Sequence, residues 1–466
     1  MVDFSLIAVL IVAAHLLRAR LPWASRYLVP TSMIAGVLGL LGGPDLLGFL
    51  PFSQLDAESG GALRISQYPG VLVTFVFATL LLGHRPAHNR TRLANPGVRV
   101  SLLYNTAGEF GQWGLAILFG ALVLAVVFPG LPENFAVMLP AGFAGGHGTA
   151  AIFGPPFQTQ GWQEALSVGF AFATLGLMAS IFGGMLIINF AVRRGWTQFI
   201  GRDADIESDK SPPFLEGEEQ FSIGTATVNP VALDPLAWHV ALLGLVYGAT
   251  RLIDYGTHKA MPGEYWIPQF AVAMLLGAAL QYLLDCVGLG VYVDRNTMRR
   301  LGSMCADALV VCGIASIKLS VVWQYATPMA IMAAFGLVYS VAYLYVGRWI
   351  FPKNWFEQSI FTYGWMTGVV GFAVALLRVV DPRLKSDTLE EFGVAYMVLG
   401  PLEMILYPTI IWACLAGLYV PLGIVLSLAA GGMLFAARVA ARPLNASTFE
   451  SHLTPERVDG QTISPI

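Results

Sequence analysis

Ala144-Gly145-Gly146-His147-Gly148-Thr149 lies inside an uncharged stretch, 137–158, that is as apolar as a membrane helix but is broken by glycine and proline. Three glycines in six positions interrupt a helix rather than extend one. Irregular backbone at membrane depth is tolerated only where it is buried in protein or lines a cavity. A second uncharged stretch, 357–378, carries Tyr363-Gly364-Trp365-Met366-Thr367-Gly368 and is broken in the same way. Both fit re-entrant hairpins better than spans.

The rest of the chain gives these breaks their setting. Of its residues 56% are hydrophobic and 12% charged, against roughly 25% charged in soluble domains, and the mean hydropathy is +0.66. A net charge of −3 leaves no basic excess for a nucleic acid. The four cysteines, at 286, 305, 312 and 414, lie in or beside apolar runs and form no disulfide framework. Asp3 precedes the first apolar run and no basic segment does, so that run reads as a retained helix rather than a cleaved signal.

Helices are expected at 3–20, 27–44, 69–84, 100–128, 165–192, 235–251, 265–285, 303–320, 326–347, 391–417 and 420–438. The arginines and lysines fall after alternate members of this series: Arg18, Arg20 and Arg26; Arg85, Arg90, Arg92 and Arg99; Arg193 and Arg194; Arg295, Arg299 and Arg300; Arg348 and Lys353; Arg438 and Arg442. The positive-inside rule makes that side cytoplasmic. The N-terminus is then outside, the C-terminus cytoplasmic, and the chain a multi-pass protein of the plasma (inner) membrane.

Residues 201–220 hold seven acids against Arg202 and Lys210, with Pro212 and Pro213, and read as a solvated cytoplasmic connector near the chain midpoint. The stretches on either side repeat. Gly146 and Gly368 lie 222 residues apart, Gly176 and Gly400 lie 224 apart, and five helices lie in each half. An odd number inserts the second half upside down. The expected organisation is a first inverted repeat at 1–200, an acidic linker at 201–234, a second inverted repeat at 235–418, an extra helix at 419–441 and a disordered cytoplasmic tail at 442–466. The fold class is an all-α polytopic membrane protein of two inverted five-helix repeats, each with a re-entrant hairpin. Such repeats mark secondary transporters, whose site lies where broken helices meet at the midplane.

Glycine lets amides and carbonyls approach a ligand closely, so Gly145, Gly146 and Gly148 can present them to a carboxylate or a cation. His147 adds a titratable group and Thr149 a hydroxyl. The competing reading is a tight buried turn in which glycine serves packing alone. Thr174 follows in the next helix, and Tyr363, Gly364, Thr367 and Gly368 are the counterparts on the second hairpin. Ionisable residues within membrane stretches are functional candidates by default. Glu109 and Glu403 fit either interhelical hydrogen bonds or a proton or cation role. Asp307 fits a site or a surface cap, and Gln112 a substrate contact or polar glue. Seven histidines with no nucleophile–base or metal-ligand spacing disfavour an enzyme.

Ala144-Gly-Gly-His-Gly-Thr149 followed by Ala173-Thr-Leu-Gly-Leu177 resembles the sodium–glutamate symporter family. Val29-Pro30, Phe77-Ala-Thr79, Gln112, Leu301-Gly302-Ser303, Ile317-Lys318-Leu319 and Lys353-Asn354 continue the resemblance in order over roughly residues 1–418. The resemblance implies a sodium-coupled carrier of glutamate or a similar small organic anion, homodimeric and elevator-like, with no cofactor and no metal site other than one for sodium. The second hairpin departs from the family, which carries Gly-His-Cys-Gly-Phe-Gly there and an Asn-bearing stretch beyond. Arg378 falls near the place of that Asn, where it either opposes a cation or snorkels to the cytoplasmic surface. A sodium-independent or proton-coupled organic-acid carrier and a non-transporting membrane receptor are the rival readings. The charge pattern predicts that a reporter fused after Arg442 is protected from external protease in intact cells while a tag before Met1 is cleaved; the reverse result would invert the topology.

Overall fold

The structure is a computed structural model. It describes residues 2–26, 29–44, 46–52, 65–83, 95–200, 220, 222, 224–260, 269–351, 353–382 and 384–442, with a short β-ribbon of Arg457–Val458 and Gln461–Thr462. Most of the acidic connector (201–219), Arg85, Arg90 and Arg92, and nearly all of the C-terminal tail lie outside the described residues.

The chain forms two compact units, each assembled from separated segments. One comprises Met1–Ala87, Gly130–Leu177 and Glu207–Ala333; the other comprises His88–Pro129, Met178–Ile206 and Ala334–Ile466. Both are helical. Among the described residues, eight helices are long and apolar enough to cross a membrane, which with the family assignment below makes this a multi-pass membrane protein.

The first unit holds α1 (Val2–Arg20), α2 (Thr31–Gly42), α3 (Tyr68–Leu81), α5 (Met138–Phe143), α6 (Gly146–Thr159), most of α7 (Ala165–Met178), α9 (Pro235–Ala260), α10 (Gln269–Cys286) and α11 (Arg295–Ala315). Lipid-soluble helices gain nothing from hydrophobic burial against each other, so they pack through small residues. α3 lies against both α10 and α11. At Gly277 a side chain would stand 2.7 Å from the Ala78 carbonyl oxygen, which fixes how closely α10 and α3 cross.

The second unit holds α4 (Pro96–Phe119), α8 (Gly184–Arg194), α13 (Trp355–Thr367), α14 (Val370–Val380), α15 (Thr388–Leu415), α16 (Tyr419–Ala440) and most of α12 (Ala326–Ile350). α4 packs along α16, with Gly114 close enough to Ser427 that a Cβ would lie 2.7 Å from its backbone nitrogen. Pro96 and Asn95 begin α4 in the expected way. Proline occupies the first turn, where its missing N–H costs nothing, and the Asn95 side-chain Oδ1 accepts from the Gly97 N–H at 2.9 Å. The Glu391 carboxylate also lies directly over this N-terminus, against Gly97, where a negative charge favours the helix dipole. Both long helices of the broken halves continue through a wide π-helical turn: α4 through Gly120–Leu124 and α7 through Ala179–Gly183.

The structure adjusts the expected boundaries. The stretch read as 303–320 is a helix from Arg295 to Ala315, followed by a turn at Ser316 and a short helix at Leu319–Gln324. The reason is a cap that precedes the apolar run. Asp294 Oδ2 accepts from the Thr297 N–H and the Thr297 hydroxyl, both at 2.8 Å, and from the Thr225 N–H at 3.2 Å. The Asp294 N–H in turn donates to His239 Nε2 at 2.8 Å. Among the described residues of the stretch read as 27–44, the helix runs over Thr31–Gly42. Twelve residues rise about 18 Å, short of the roughly 30 Å hydrocarbon core.

Partial burial pushes the Asp294 carboxyl up, and the three hydrogen bonds it accepts outweigh that and hold it below its ordinary value. A folded-state value below the unfolded one contributes stability above the ordinary carboxylate range and loses it as pH falls below about 4. Asp294→Ala is expected to cost about 1 kcal/mol at neutral pH, read as a lower melting temperature of the detergent-purified protein. The gap between variant and parent should narrow as the pH is lowered through that range.

Candidate functional site

In the first unit, α5 and α6 are two short helices separated at Ala144–Gly145. Gly146 takes φ +63°, a left-handed conformation that costs a residue with a Cβ about 1 kcal/mol or more. The arms of the break are held by close backbone contact. A Cβ at Gly142 would stand 2.6 Å from the backbone nitrogen of Ala173, so α5 lies directly on α7. Gly146, His147 and Gly148 occupy the first turn of α6, whose amides have no intrahelical carbonyl to meet, while the Thr149 N–H donates to the Gly145 carbonyl at 3.4 Å. Gly145 and Gly148 are half-buried; Gly146, His147 and Thr149 are buried.

His147 is 2% exposed. Its Nε2 lies 3.2 Å from Thr174 Oγ1, and that hydroxyl donates to the Phe170 carbonyl at 2.9 Å. A hydroxyl has one proton, so Thr174 spends it on Phe170 and accepts from His147 Nε2–H. His147 is then assigned as the Nε2–H tautomer with a lone pair on Nδ1. Nδ1 is buried and has no hydrogen-bond partner. Gly313 of α11 backs the ring, with space for no side chain: a Cβ there would stand 2.6 Å from His147 Cδ2. Thus Gly145, Gly146, His147, Gly148, Thr149 and Thr174 occupy one locality. Asp307 lies exposed on α11, and its hydrogen-bond partner is the Ser32 hydroxyl rather than a group of the break.

In the second unit, α13 and α14 are separated at Gly368–Val369 and pack on each other so closely that a Cβ on Gly364 would stand 2.8 Å from the Ala373 Cα. The end of α13 docks on the π-helical turn. The Tyr363 hydroxyl donates to the Ala179 carbonyl at 2.9 Å, and the Ser180 hydroxyl donates to the Gly364 carbonyl at 3.3 Å. The Thr367 hydroxyl donates to the Tyr363 carbonyl at 2.7 Å. Gly368 is buried and Val369 is exposed. Gln112 of α4, wholly buried, donates through Nε2 to the Met366 carbonyl at 3.2 Å, and its Oε1 is unpartnered. Arg378 lies exposed in the last turn of α14.

Glu109 and Glu403 come together through tyrosines. The Tyr407 hydroxyl donates to Glu109 Oε1 at 3.2 Å, and the Tyr396 hydroxyl donates to Glu403 Oε2 at 3.3 Å. Sequence reasoning missed Tyr396, Tyr407, Ser180 and Gly313 as neighbours of site residues. Tyr396, Glu403 and Tyr407 have the helical spacing i, i+7 and i+11 that puts polar groups on one face, and that signal was available. No spacing pairs Ser180 with Gly364 or Gly313 with His147. Among the described residues no group of three or more His, Cys, Asp or Glu has metal-binding geometry.

These elements define a helical chain with eight described helices long and apolar enough to cross a membrane and two helices broken at glycine. The sodium/glutamate symporter family model matches residues 131–373, more than half of the chain and a range that includes both breaks, and the chain belongs to that family. No curated protein matches the chain. Membership makes it a membrane transporter of the symporter class.

The geometry at the first break predicts unequal effects of adding one methyl group. Gly142→Ala meets backbone and should destabilise the protein by roughly 1–3 kcal/mol. Gly148→Ala meets only side-chain atoms, Val73 Cγ2 at 3.3 Å and Leu309 Cδ1 at 3.9 Å, and should leave the melting temperature within a degree or two. Equal melting temperatures for both variants would contradict the packing described.

Proposed function

We propose that the protein is a sodium-coupled secondary transporter whose cargo is glutamate or a closely similar amino acid, bound at the first glycine break. The observation that carries this reading is His147: buried, oriented by Thr174, and left with an unpartnered acceptor nitrogen beside the open first turn of α6. Helix N-termini favour carboxylates, and a neutral imidazole nitrogen favours an ammonium N–H. Side by side they suit a zwitterion better than a plain dicarboxylate. Sodium as the coupling ion is what the family supports; a hard cation takes oxygen ligands, and backbone carbonyls freed at the breaks are of that kind.

In this reading the chain is two inverted repeats, 1–200 and 235–418, joined by the acidic linker, with α16 outside the repeat and the tail cytoplasmic. The broken helices are re-entrant hairpins. The transporter works as a homodimer in the inner membrane by an elevator-like movement, with the N-terminus outside. Thr149, Gln112, Tyr363, Gly364, Thr367 and Gly368 serve as supporting ligands, and Asp307 and Arg378 as charges near the path.

The test is uptake into proteoliposomes of a panel of amino and dicarboxylic acids, with and without a sodium gradient. Glutamate should accumulate only with sodium outside, and glutarate, which lacks the amino group, should compete at least tenfold more weakly. Gly146→Ala and His147→Ala should abolish uptake while eluting as the parent does on size exclusion. Sodium-independent uptake would refute the coupling, and normal uptake in both variants would refute the site.

A further inference from the structure

Two carboxyl groups stand inside the second unit with no cation beside them. Glu109 on α4 is 1% exposed and Glu403 on α15 is 4% exposed. Tyr407 is a hydrogen-bond partner of both, and Tyr396 faces Glu403. The remaining titratable groups packed around them belong to α12. The Tyr339 hydroxyl is committed to the Gly108 carbonyl at 2.8 Å and the Tyr343 hydroxyl to the Tyr104 carbonyl at 2.5 Å. α13 contributes the Met366 carbonyl through Gln112, and α16 contributes Ser427 and small residues, its Arg438 lying in its last turn. No Lys, Arg or His among the described residues pairs with either carboxyl group.

Two facing carboxylates in a low-dielectric interior without a counter-charge cannot both stay ionised. The hydrogen-bond inventory reaches the same result independently. Tyr407 has one proton and two carboxyl groups that accept it. Glu109 Oε2 is buried without a partner, and Gln112, three residues further along the same face of α4, leaves its buried Oε1 unpartnered as well. Only neutral donors, the Tyr396 and Tyr407 hydroxyls and the Trp113 indole N–H, face these carboxyl groups, Glu109 Oε2 still accepts from none, and the smallest species that supplies a further donor is a proton. A line of polar groups leads toward it from the N-terminal end of α4. The Gln358 amide donates to the half-buried Glu391 at 2.6 Å, and the Thr362 hydroxyl lies 2.9 Å from Asn105 Oδ1. Asn105 precedes Glu109 by one helical turn.

We propose that Glu109 and Glu403 share one exchangeable proton through Tyr407, forming a proton-binding site separate from the glycine breaks. Loading adds a proton from water to a carboxylate oxygen and release returns it; only O–H bonds change. The site does not depend on the identity of the cargo, so it stands or falls apart from the function proposed above.

The test is infrared spectroscopy of the purified, lipid-reconstituted protein without substrate, following the carbonyl stretch of protonated carboxylic acids. The parent should show a protonated-carboxyl band at neutral pH that shifts in D2O, persists in saturating sodium chloride and disappears as the pH is raised. The double variant Glu109→Gln/Glu403→Gln should lose it, and Tyr407→Phe should displace it by removing a hydrogen bond. No such band in the parent at neutral pH would overturn the proposal without any variant. A band unchanged in both the double variant and Tyr407→Phe would also overturn it. Loss of the band when potassium is replaced by sodium at constant pH would make the pair a sodium site, and would overturn it too.

Discussion

A helix interrupted within a bilayer strands amides and carbonyls where hydrocarbon offers them nothing, and each stranded group costs several kcal/mol unless protein supplies a partner. Two helices of this chain are interrupted, at Ala144–Gly145 and at Gly368–Val369, and on the re-entrant reading proposed above much of the structure around them answers that constraint. At the first break the arms are pressed onto α7 through Gly142, while Thr174 and Gly313 hold His147 in place. At the second, the π-helical turn after α7 places the Ala179 carbonyl and the Ser180 hydroxyl against the end of α13.

The two breaks are satisfied differently, and the difference bears on function. The polar groups of the second are largely consumed by one another: Tyr363 by Ala179, Thr367 by Tyr363, and the Gly364 carbonyl by Ser180. The first retains an unpartnered buried nitrogen and an open helical turn. The lost family residues in Tyr363-Gly-Trp-Met-Thr-Gly368 are therefore matched by an internally closed arrangement, and the recognition chemistry concentrates at His147. Arg378, read from its position in the chain as either opposing a cation or snorkelling, is exposed at the end of α14.

Much of this was legible in the residues. The uncharged but glycine-broken stretches marked both interruptions, because apolar length and helix-breaking composition conflict there and only a short helical pair resolves the conflict. Long uncharged runs such as 165–192 and 326–347 matched α7–α8 and α12 to within a few residues, since hydrocarbon thickness sets their length. The start of α11 was misplaced because its first turns carry Arg295, Arg299 and Arg300, and hydropathy discounts charged turns. The cap that begins the helix is built from Asp294, Thr297 and the distant Thr225 and His239. The partnership of Glu109 with Glu403 was out of reach for a similar reason: nearly 300 residues separate them, and each alone fits a simple interhelical hydrogen bond.

By itself the sequence determined the membrane class, the number and placement of the broken helices and the family, because these follow from composition, apolar length and a glycine motif that are local in the chain. Tertiary structure alone decided which polar groups are left without partners. His147 Nδ1 is a buried acceptor without a partner, its lone pair assigned because Thr174 gives its proton to Phe170, and Glu109 Oε2 is buried with no donor while Oε1 accepts from Tyr407. Hydrogen-bond satisfaction is a count taken over neighbours in space, and no pattern along the chain contains it.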